Sequence, residues 1–334
     1  MRILVGTDDG LMVIRWIEGE RSGRITEKHF EGRQVYRLAA TEGGAWAVVP
    51  EEGIFHTPDG GGSWQRKADR LGGAMVRSLL PSPRDPSVVY AGTEPAGLFV
   101  SRNGGADWED LPTFRELGVR ESWRDYGKRS THVETIACDP QDPRRLYVGV
   151  EIGGAYRTDD GGTTWCSINE EIFDDIHEIR VDPWDPSRVF AATGGGLHTS
   201  RDRGLHWRRH ESEIGELYCT RFDLVSRGVE VSSSLQSTLV LATADSTPSS
   251  WYRRRGNAGA RLWMSRDAGD TWTSLRLTGV RDRGAITDVM ADPSVEGAGF
   301  IGTSSGNLYY GRVADERWSR IMFGMPAIQS VLVN

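Results

Sequence analysis

Short apolar runs of four to six residues recur along the chain, separated by clusters of glycine, proline and aspartate. One stretch shows the unit plainly, with runs at Val76–Leu80, Val88–Thr93, Gly97–Arg102 and Trp108–Leu111. Runs of this length between turn residues are typical of β-strands. Prolines stand between the first two runs, in Ser82–Pro86, where a central strand would not tolerate them. The pattern therefore predicts units of four short strands.

An eight-residue turn repeats between the third and fourth runs of these units. It starts with Ser or Thr, continues with Asp or Asn and Gly, and ends with Trp. The five copies are Thr57–Trp64, Ser101–Trp108, Thr158–Trp165, Ser200–Trp207 and Ser265–Trp272. The Asp or Asn side chain can accept hydrogen bonds from its own turn, and Gly supplies the positive φ that the turn needs. The Trp offers a large apolar face to bury. We call these segments the box turns.

The box turns resemble the Asp-box, or BNR repeat, of sialidases, sortilin-type receptors, two-domain xyloglucanases and photosystem II assembly factors. That resemblance covers nearly the whole chain and implies a β-propeller, since the box is a structural device in all of those families. A repeat of about 50 residues also fits a propeller blade of four strands.

Counting the strand groups predicts seven blades. Met1–Phe30 supplies only three strands, and the terminal Ile328–Val333 supplies one strand without a blade. The last strand should therefore complete the first blade and close the ring, which removes open sheet edges. We expect an all-β protein, a single seven-bladed β-propeller over residues 1–334 with four-stranded antiparallel blades.

Composition narrows the classes of partner. The 334 residues carry a formal charge of −7, which argues against nucleic-acid binding. No apolar run approaches the length of a membrane span or a signal peptide. Cys138, Cys166 and Cys219 lack metal-binding spacing and suggest thiols in a reducing compartment. We expect a cytoplasmic monomer without a cofactor or bound metal.

Two insertions interrupt the repeat, at 112–131 and 244–260, and both should emerge on the blade end opposite the box turns. They carry aromatic residues beside arginines, which suit sugar rings or anionic groups. The alternative is that Trp123 and Trp251 pack the insertions onto the blades. The candidate binding residues are Trp123, Tyr126, Arg129, Trp251, Tyr252, Arg253 and Arg254.

Carboxylates in the turns between second and third strands should face the same end. Glu151–Arg157 is similar to the Asp-Ile-Gly-Gly-Ala-Tyr-Arg segment of the xyloglucanase family, whose Asp is catalytic, and this implies a catalytic role for Glu151. The family places its partner acid in a second propeller, and its first acid is Asp rather than Glu. Glu94 occupies the corresponding turn of the preceding blade, and paired carboxylates are what glycoside hydrolysis requires.

Three more residues near the inner strands are candidates for binding. Tyr36–Ala39 is similar to the Phe/Tyr-Arg-Ile-Pro motif of sialidases, which would make Arg37 an anion-binding arginine. His132 and His177 should sit at the tops of neighbouring inner strands. They could share a site of the kind found in seven-bladed lyases that use His and a divalent metal.

We therefore expect a non-catalytic binding or assembly scaffold that presents its aromatic and arginine-rich face to a protein segment or a small anionic ligand. This resembles the photosystem II assembly factors. The alternative is a carbohydrate-active glycoside hydrolase or lyase with Glu151 and Glu94 as acid and base. The identity of ligand, substrate or partner cannot be read from this sequence.

Overall fold

The computed structural model describes residues 1–120, 123, 130–215, 218–231, 234–248, 257–275, 282–315 and 317–333. These residues form seven antiparallel sheets of four strands each. The prediction of an all-β, seven-bladed β-propeller with four-stranded blades is confirmed. No helix among these residues is long and apolar enough to cross a membrane.

The strands are numbered in chain order, four to a sheet, except that the first sheet takes its fourth strand from the end of the chain. They are β1 (Arg2–Thr7), β2 (Gly10–Arg15), β3 (Arg24–His29), β4 (Arg37–Thr41), β5 (Gly44–Val49), β6 (Gly53–Thr57), β7 (Gln65–Ala68), β8 (Met75–Pro81), β9 (Val89–Glu94), β10 (Leu98–Ser101), β11 (Glu109–Asp110), β12 (His132–Cys138), β13 (Leu146–Glu151), β14 (Gly154–Thr158), β15 (Cys166–Ser167), β16 (Ile176–Val181), β17 (Val189–Thr193), β18 (Gly196–Ser200), β19 (Arg208–Arg209), β20 (Tyr218–Val231), β21 (Ser234–Ala244), β22 (Arg261–Ser265), β23 (Thr273–Leu275), β24 (Ile286–Ala291), β25 (Ala298–Thr303), β26 (Leu308–Arg312), β27 (Arg317–Met322) and β28 (Ile328–Val333).

The chain divides into two compact units. Met1–Val35 together with His210–Asn334 holds three sheets, and Tyr36–Arg209 holds the other four. In the first unit, β28 pairs with β1 from Ile3 opposite Val333 to Thr7 opposite Ile328, as expected for the closing strand. The expectation of one domain over residues 1–334 stays a prediction.

Apolar side chains pack between neighbouring sheets within each unit. In the second unit, one cluster joins the β8–β11 and β12–β15 sheets and includes Val133, Val148 and Tyr156. Glycines on the second strands let the sheets approach closely. A Cβ on Gly92 would lie 2.4 Å from Val133, and one on Gly149 would lie 2.5 Å from Ile176. Any larger residue at these two positions would push the inner strands away.

The box turns close on their own side chains. In Thr158–Trp165, the Thr158 hydroxyl donates to Asp160 over 2.7 Å, and the Thr164 backbone N–H and hydroxyl donate to the same carboxylate over 2.9 and 2.6 Å. The copies at Asp59, Asp202 and Asp267 repeat these bonds. The carboxylate of each aspartate therefore accepts hydrogen bonds from within its own turn, which explains its fixed spacing to the residues around it.

The first insertion begins with a helix rather than the expected loop. Helix α1 spans Pro112–Arg120, and a short helix α2 spans Glu211–Ile214. Phe114 and Leu117 are spaced three apart, so they share one face of α1, and both are buried against the β8–β11 and β12–β15 sheets. This apolar pair gives the segment a helical face that the sequence analysis overlooked. The second insertion joins β21 to β22, as expected.

Candidate functional site

Bulges in the inner strands turn polar side chains out of the sheet register. In β12, Glu134 lies between the pairs Val133–Val150 and Thr135–Gly149 and has no partner in the ladder. Arg77 and His177 occupy the same position in β8 and β16. A bulge re-aims a side chain and is frequent beside active sites. The inner strands therefore present charged side chains at the end of the blades that carries Glu94 and Glu151.

Glu134 is the centre of a charged cluster within the second unit. Its side chain is only 4 % exposed, and Arg37 Nη2 lies 2.6 Å from its Oε1. The Tyr36 hydroxyl donates to Oε2 over 2.9 Å, and His132 Nε2 lies 3.3 Å from the same oxygen. A buried carboxylate needs opposite charge and hydrogen-bond donors. Arg37, Tyr36 and His132 supply both to Glu134.

Glu151 reaches the same histidine from the last position of β13, next to the turn into β14. Its Oε2 lies 2.8 Å from His132 Nε2, and its side chain is 29 % exposed. The other ring nitrogen of His132 lies 3.3 Å from the backbone oxygen of Ser130, which orients the imidazole. Among the residues that the structure describes, His132 is the ion-pair partner of Glu151. Glu151 is thus the solvent-facing carboxylate of this cluster.

The two carboxylates keep His132 charged. Burial by itself lowers the pKa of His132, but the hydrogen bonds and negative charges of Glu134 and Glu151 outweigh it and raise the pKa to about 10. The cluster then contains two carboxylates, the imidazolium and the guanidinium of Arg37, and its formal charges cancel. One ligand atom from each of His132, Glu134 and Glu151 lies within 4.8 Å of the others, so these three could hold a metal ion. A divalent cation would have to displace the proton of His132.

Glu94 pairs with an arginine, whereas Glu151 pairs with a histidine. Arg77 Nε lies 2.6 Å from its Oε2, and Arg77 Nη2 contacts the same oxygen. The guanidinium groups of Arg77 and Arg37 both pack on the ring of Tyr36, with their Cζ atoms 5.4 and 5.3 Å from its centre. Tyr36 therefore connects the Arg77–Glu94 pair to Glu134. Glu134 is the carboxylate that contacts the same histidine as Glu151, and the pairing of Glu94 with Glu151 as acid and base stays a prediction.

His177 lies on the next inner strand. Its Nε2 is 3.4 Å from Asp175 Oδ2, and the neighbouring Glu178 pairs with Arg180 over 2.9 Å. His177 thus lies beside acidic residues. A metal site shared by His132 and His177 stays a prediction.

Trp123 packs against protein. It lies 5.2 Å from Phe114 and 5.4 Å from Tyr156, measured between ring centres. These contacts match the alternative in which Trp123 fixes the first insertion to the blades. The remaining predicted binding residues, Tyr126, Arg129, Trp251, Tyr252, Arg253 and Arg254, lie outside the described residues.

The turn that carries Glu151 is strained. Ile152 has a φ of +54°, which a β-branched residue rarely adopts, and Gly154 follows with a φ of +90°. Such strain persists only where the surroundings impose it, and it clusters at functional sites. The backbone N–H groups of Gly153 and Gly154 donate to Asp174 O over 3.2 and 2.9 Å. The position of Glu151 is therefore enforced by neighbouring segments.

Glu134 and the cation–π contacts of Tyr36 are not predicted by the sequence pattern. One signal for Glu134 was present, because His132 and Glu134 alternate as polar residues in an inner strand that is otherwise apolar or small. Arg37 and Glu134 are 97 residues apart in the chain, and no local sequence pattern predicts their contact.

Comparisons with known proteins agree with this fold. No family model matches the chain. A xyloglucanase from Paenibacillus sp is 23% identical over 340 residues, covering 88% of this chain and 31% of that protein. The xyloglucanase of Hypocrea jecorina (strain QM6a) is 24% identical over 256 residues, covering 69% and 28%. The crystal structure of a GH74 xyloglucanase from Xanthomonas campestris matches with a TM-score of 0.66 at 19% identity, covering 87% and 45%.

These similarities place the chain among proteins built from propeller repeats. The chain spans less than a third of the length of the two curated relatives. The expectation of a non-catalytic binding or assembly scaffold is contradicted, because the curated relatives and the solved structure are named as enzymes. The alternative, a carbohydrate-active hydrolase, agrees better with these names.

Proposed function

We propose that this protein is a glycoside hydrolase of the xyloglucanase type, and that Glu151 is its reacting carboxyl group. The observation that carries the proposal is the pair of carboxylates, Glu151 and Glu134, that share the His132 imidazolium within 4.8 Å. Retaining glycosidases use two carboxyl groups roughly 5–5.5 Å apart, with different roles set by their surroundings, and the nearest oxygens of this pair lie closer than that. The names of the relatives supply the substrate class, xyloglucan.

The surroundings of the two carboxylates assign different roles to them. Glu134 is buried against Arg37 and Tyr36 and contacts His132, so it serves as a counter-charge for the imidazolium. A buried counter-charge of this kind helps to hold the histidine beside Glu151. Glu151 is partly exposed and sits on a strained turn, so it is the group that can exchange a proton with substrate or water. His132 holds Glu151 in place.

We also infer that the box turns are Asp-box repeats. Their support is the shared bonding pattern, in which a Ser or Thr hydroxyl donates to the aspartate and a backbone N–H four residues after the aspartate donates to its carboxylate. In this interpretation the box turns build the blades and take no part in the reaction.

The test is hydrolysis by the purified chain. Xyloglucan, unsubstituted β-glucan and mannan are incubated with the protein, and new reducing ends are counted. We expect release from xyloglucan, and a loss of at least about 100-fold in Glu151→Gln, since a general acid or base contributes at least this much. Glu51→Gln is the matched control, because Glu51 lies exposed in the corresponding turn between β5 and β6. Its activity should match that of the wild type.

The proposal is wrong if none of the three polysaccharides is cleaved, or if Glu151→Gln cleaves xyloglucan as fast as the wild type. Equal losses in Glu151→Gln and Glu51→Gln would also contradict it, since they would point to the charge of this blade end rather than to one carboxyl group.

A further inference from the structure

The first insertion is linked to the Glu151 turn by two short hydrogen bonds. Trp123 Nε1 donates to the Tyr156 hydroxyl over 2.7 Å, and that hydroxyl donates to the backbone oxygen of Gly153 over 2.7 Å. Gly153 is two residues after Glu151. The single hydroxyl proton of Tyr156 is therefore directed at the turn, while its oxygen accepts from the insertion.

Aromatic packing fixes both ends of this link. Tyr156 is fully buried in β14, and Phe114 of α1 meets it edge-on with ring centres 6.2 Å apart. Phe114 also packs against Trp123 and Trp165 over 5.2 and 4.9 Å. Trp165 is the last residue of a box turn. The insertion and the blade thus share one aromatic cluster, and the Tyr156 hydroxyl links this cluster to the Glu151 turn.

The end of the insertion also touches the same turn. Thr131 Cγ2 lies 3.3 Å from the point where a Cβ on Gly153 would sit, and the backbone oxygen of Thr131 accepts from Ala96 N over 2.8 Å. Ala96 belongs to the turn that follows Glu94. The insertion therefore contacts the two turns that carry the candidate carboxylates.

The strain at Ile152 shows why such support is needed. A β-branched residue at a φ of +54° would return to a negative φ unless the turn were held from outside. Such a change would swing the turn and move the carboxylate of Glu151 away from His132. Gly153 is one of the points at which the turn is held.

We propose that Tyr156 is a positioning residue, and that the insertion 112–131 acts through Trp123 and Tyr156 to hold Glu151 against His132. This inference rests on the proposed function for its kinetic consequences, but the geometry it describes exists with or without hydrolysis. It gives the first insertion a role in organising the site, in addition to any contact with ligand.

The test uses Tyr156→Phe, which keeps the ring and removes the hydroxyl. We expect kcat on xyloglucan to fall about 10-fold with KM unchanged, because a small displacement of a reacting group slows chemistry more than binding. Trp123→Phe should change kcat in the same direction by less. Tyr147→Phe is the matched control, since Tyr147 is equally buried in the neighbouring strand β13 and packs in a different cluster. Its kcat should equal that of the wild type.

A second measurement does not depend on activity. A crystal structure of Tyr156→Phe without ligand gives the distance from Glu151 Oε2 to His132 Nε2, which should lengthen from 2.8 Å as Glu151 withdraws. If this distance and kcat of Tyr156→Phe both equal those of the wild type, the inference is overturned. If the wild type cleaves no polysaccharide while the distance lengthens in Tyr156→Phe, the proposed function fails and the positioning role stands.

Discussion

Carboxylates occupy both ends of the β12–β15 blade, and they are satisfied in opposite ways. At one end, Asp160 accepts hydrogen bonds from Thr158 and Thr164 of its own box turn. At the other end, Glu151 is held by the charge of His132, and through it is coupled to Glu134. A carboxylate bonded within its own turn stabilises the fold and has no capacity left for a substrate. A carboxylate held by a separate charged group remains available for chemistry.

The pKa values express the same difference. The Thr164 hydroxyl and backbone N–H are the main cause that lowers the pKa of Asp160 to about 2. At the Glu151 end it is the histidine whose pKa is moved, upward to about 10, because the two carboxylates outweigh its burial. Local turn chemistry therefore governs one end, and contacts between strands distant in sequence govern the other.

Among the variants that test this comparison of the two blade ends, we expect Glu134→Gln to lower the unfolding free energy most. The substitution removes the counter-charge of the half-buried Arg37 guanidinium and leaves the buried imidazolium of His132 with Glu151 as its carboxylate partner. Breaking a buried ion pair on one side costs about 3–5 kcal/mol of unfolding free energy. Urea unfolding of Glu134→Gln and of Glu51→Gln, whose carboxylate is exposed, measures it. A loss below that of the exposed control would contradict the central position of Glu134.

The two ends of the blade should also lose their contributions to stability at opposite pH extremes. The folded-state pKa of His132 is raised above its ordinary 6.5, so its contribution is fully present below pH 6.5 and is lost as the pH rises through about 10. The pKa of Asp160 is lowered from 3.8, so its contribution is present above that pH and is lost as the pH falls through about 2.

Two variants distinguish the alkaline loss of stability from the acid loss. His132→Asn should flatten the alkaline decline in unfolding free energy and leave the acid decline unchanged. Asp160→Asn should lower the unfolding free energy at neutral pH by about 1 kcal/mol, the value of an ordinary hydrogen bond, and flatten the acid decline. Thermal unfolding across the pH range measures both. If either variant changed the acid decline and the alkaline decline equally, the claim that each end of the blade governs one of these declines would be refuted.

The fold could be predicted because its determinants are local. Each box turn needs only residues within eight positions of one another, and five copies fix the period of the blades. The closing strand followed from counting, since Met1–Phe30 lacks a fourth strand. Helix α1 was missed because its signal is short, a pair of apolar residues at Phe114 and Leu117 inside a segment otherwise rich in polar residues.

The candidate site could be predicted only in pieces. Glu151, His132 and Arg37 were identified from the segment similarity and from their places on strands. Their assembly around Glu134 depends on a bulge in β12, which shifts the register by one residue and leaves no mark in the hydrophobic pattern. The pairing of Glu94 with Arg77 depends on a second bulge in β8. Contacts of this kind appear only when the strands are placed side by side.

The most direct test of the account is a crystal structure of Glu151→Gln with a xyloglucan oligosaccharide bound. We expect a glycosidic oxygen within about 2.6–3.2 Å of the substituted side chain, at the end of the β12–β15 blade that carries His132 and Glu134. An oligosaccharide bound at the box-turn end, or bound with every glycosidic oxygen beyond the reach of that side chain, would contradict the claim that this carboxylate cluster is the reacting centre.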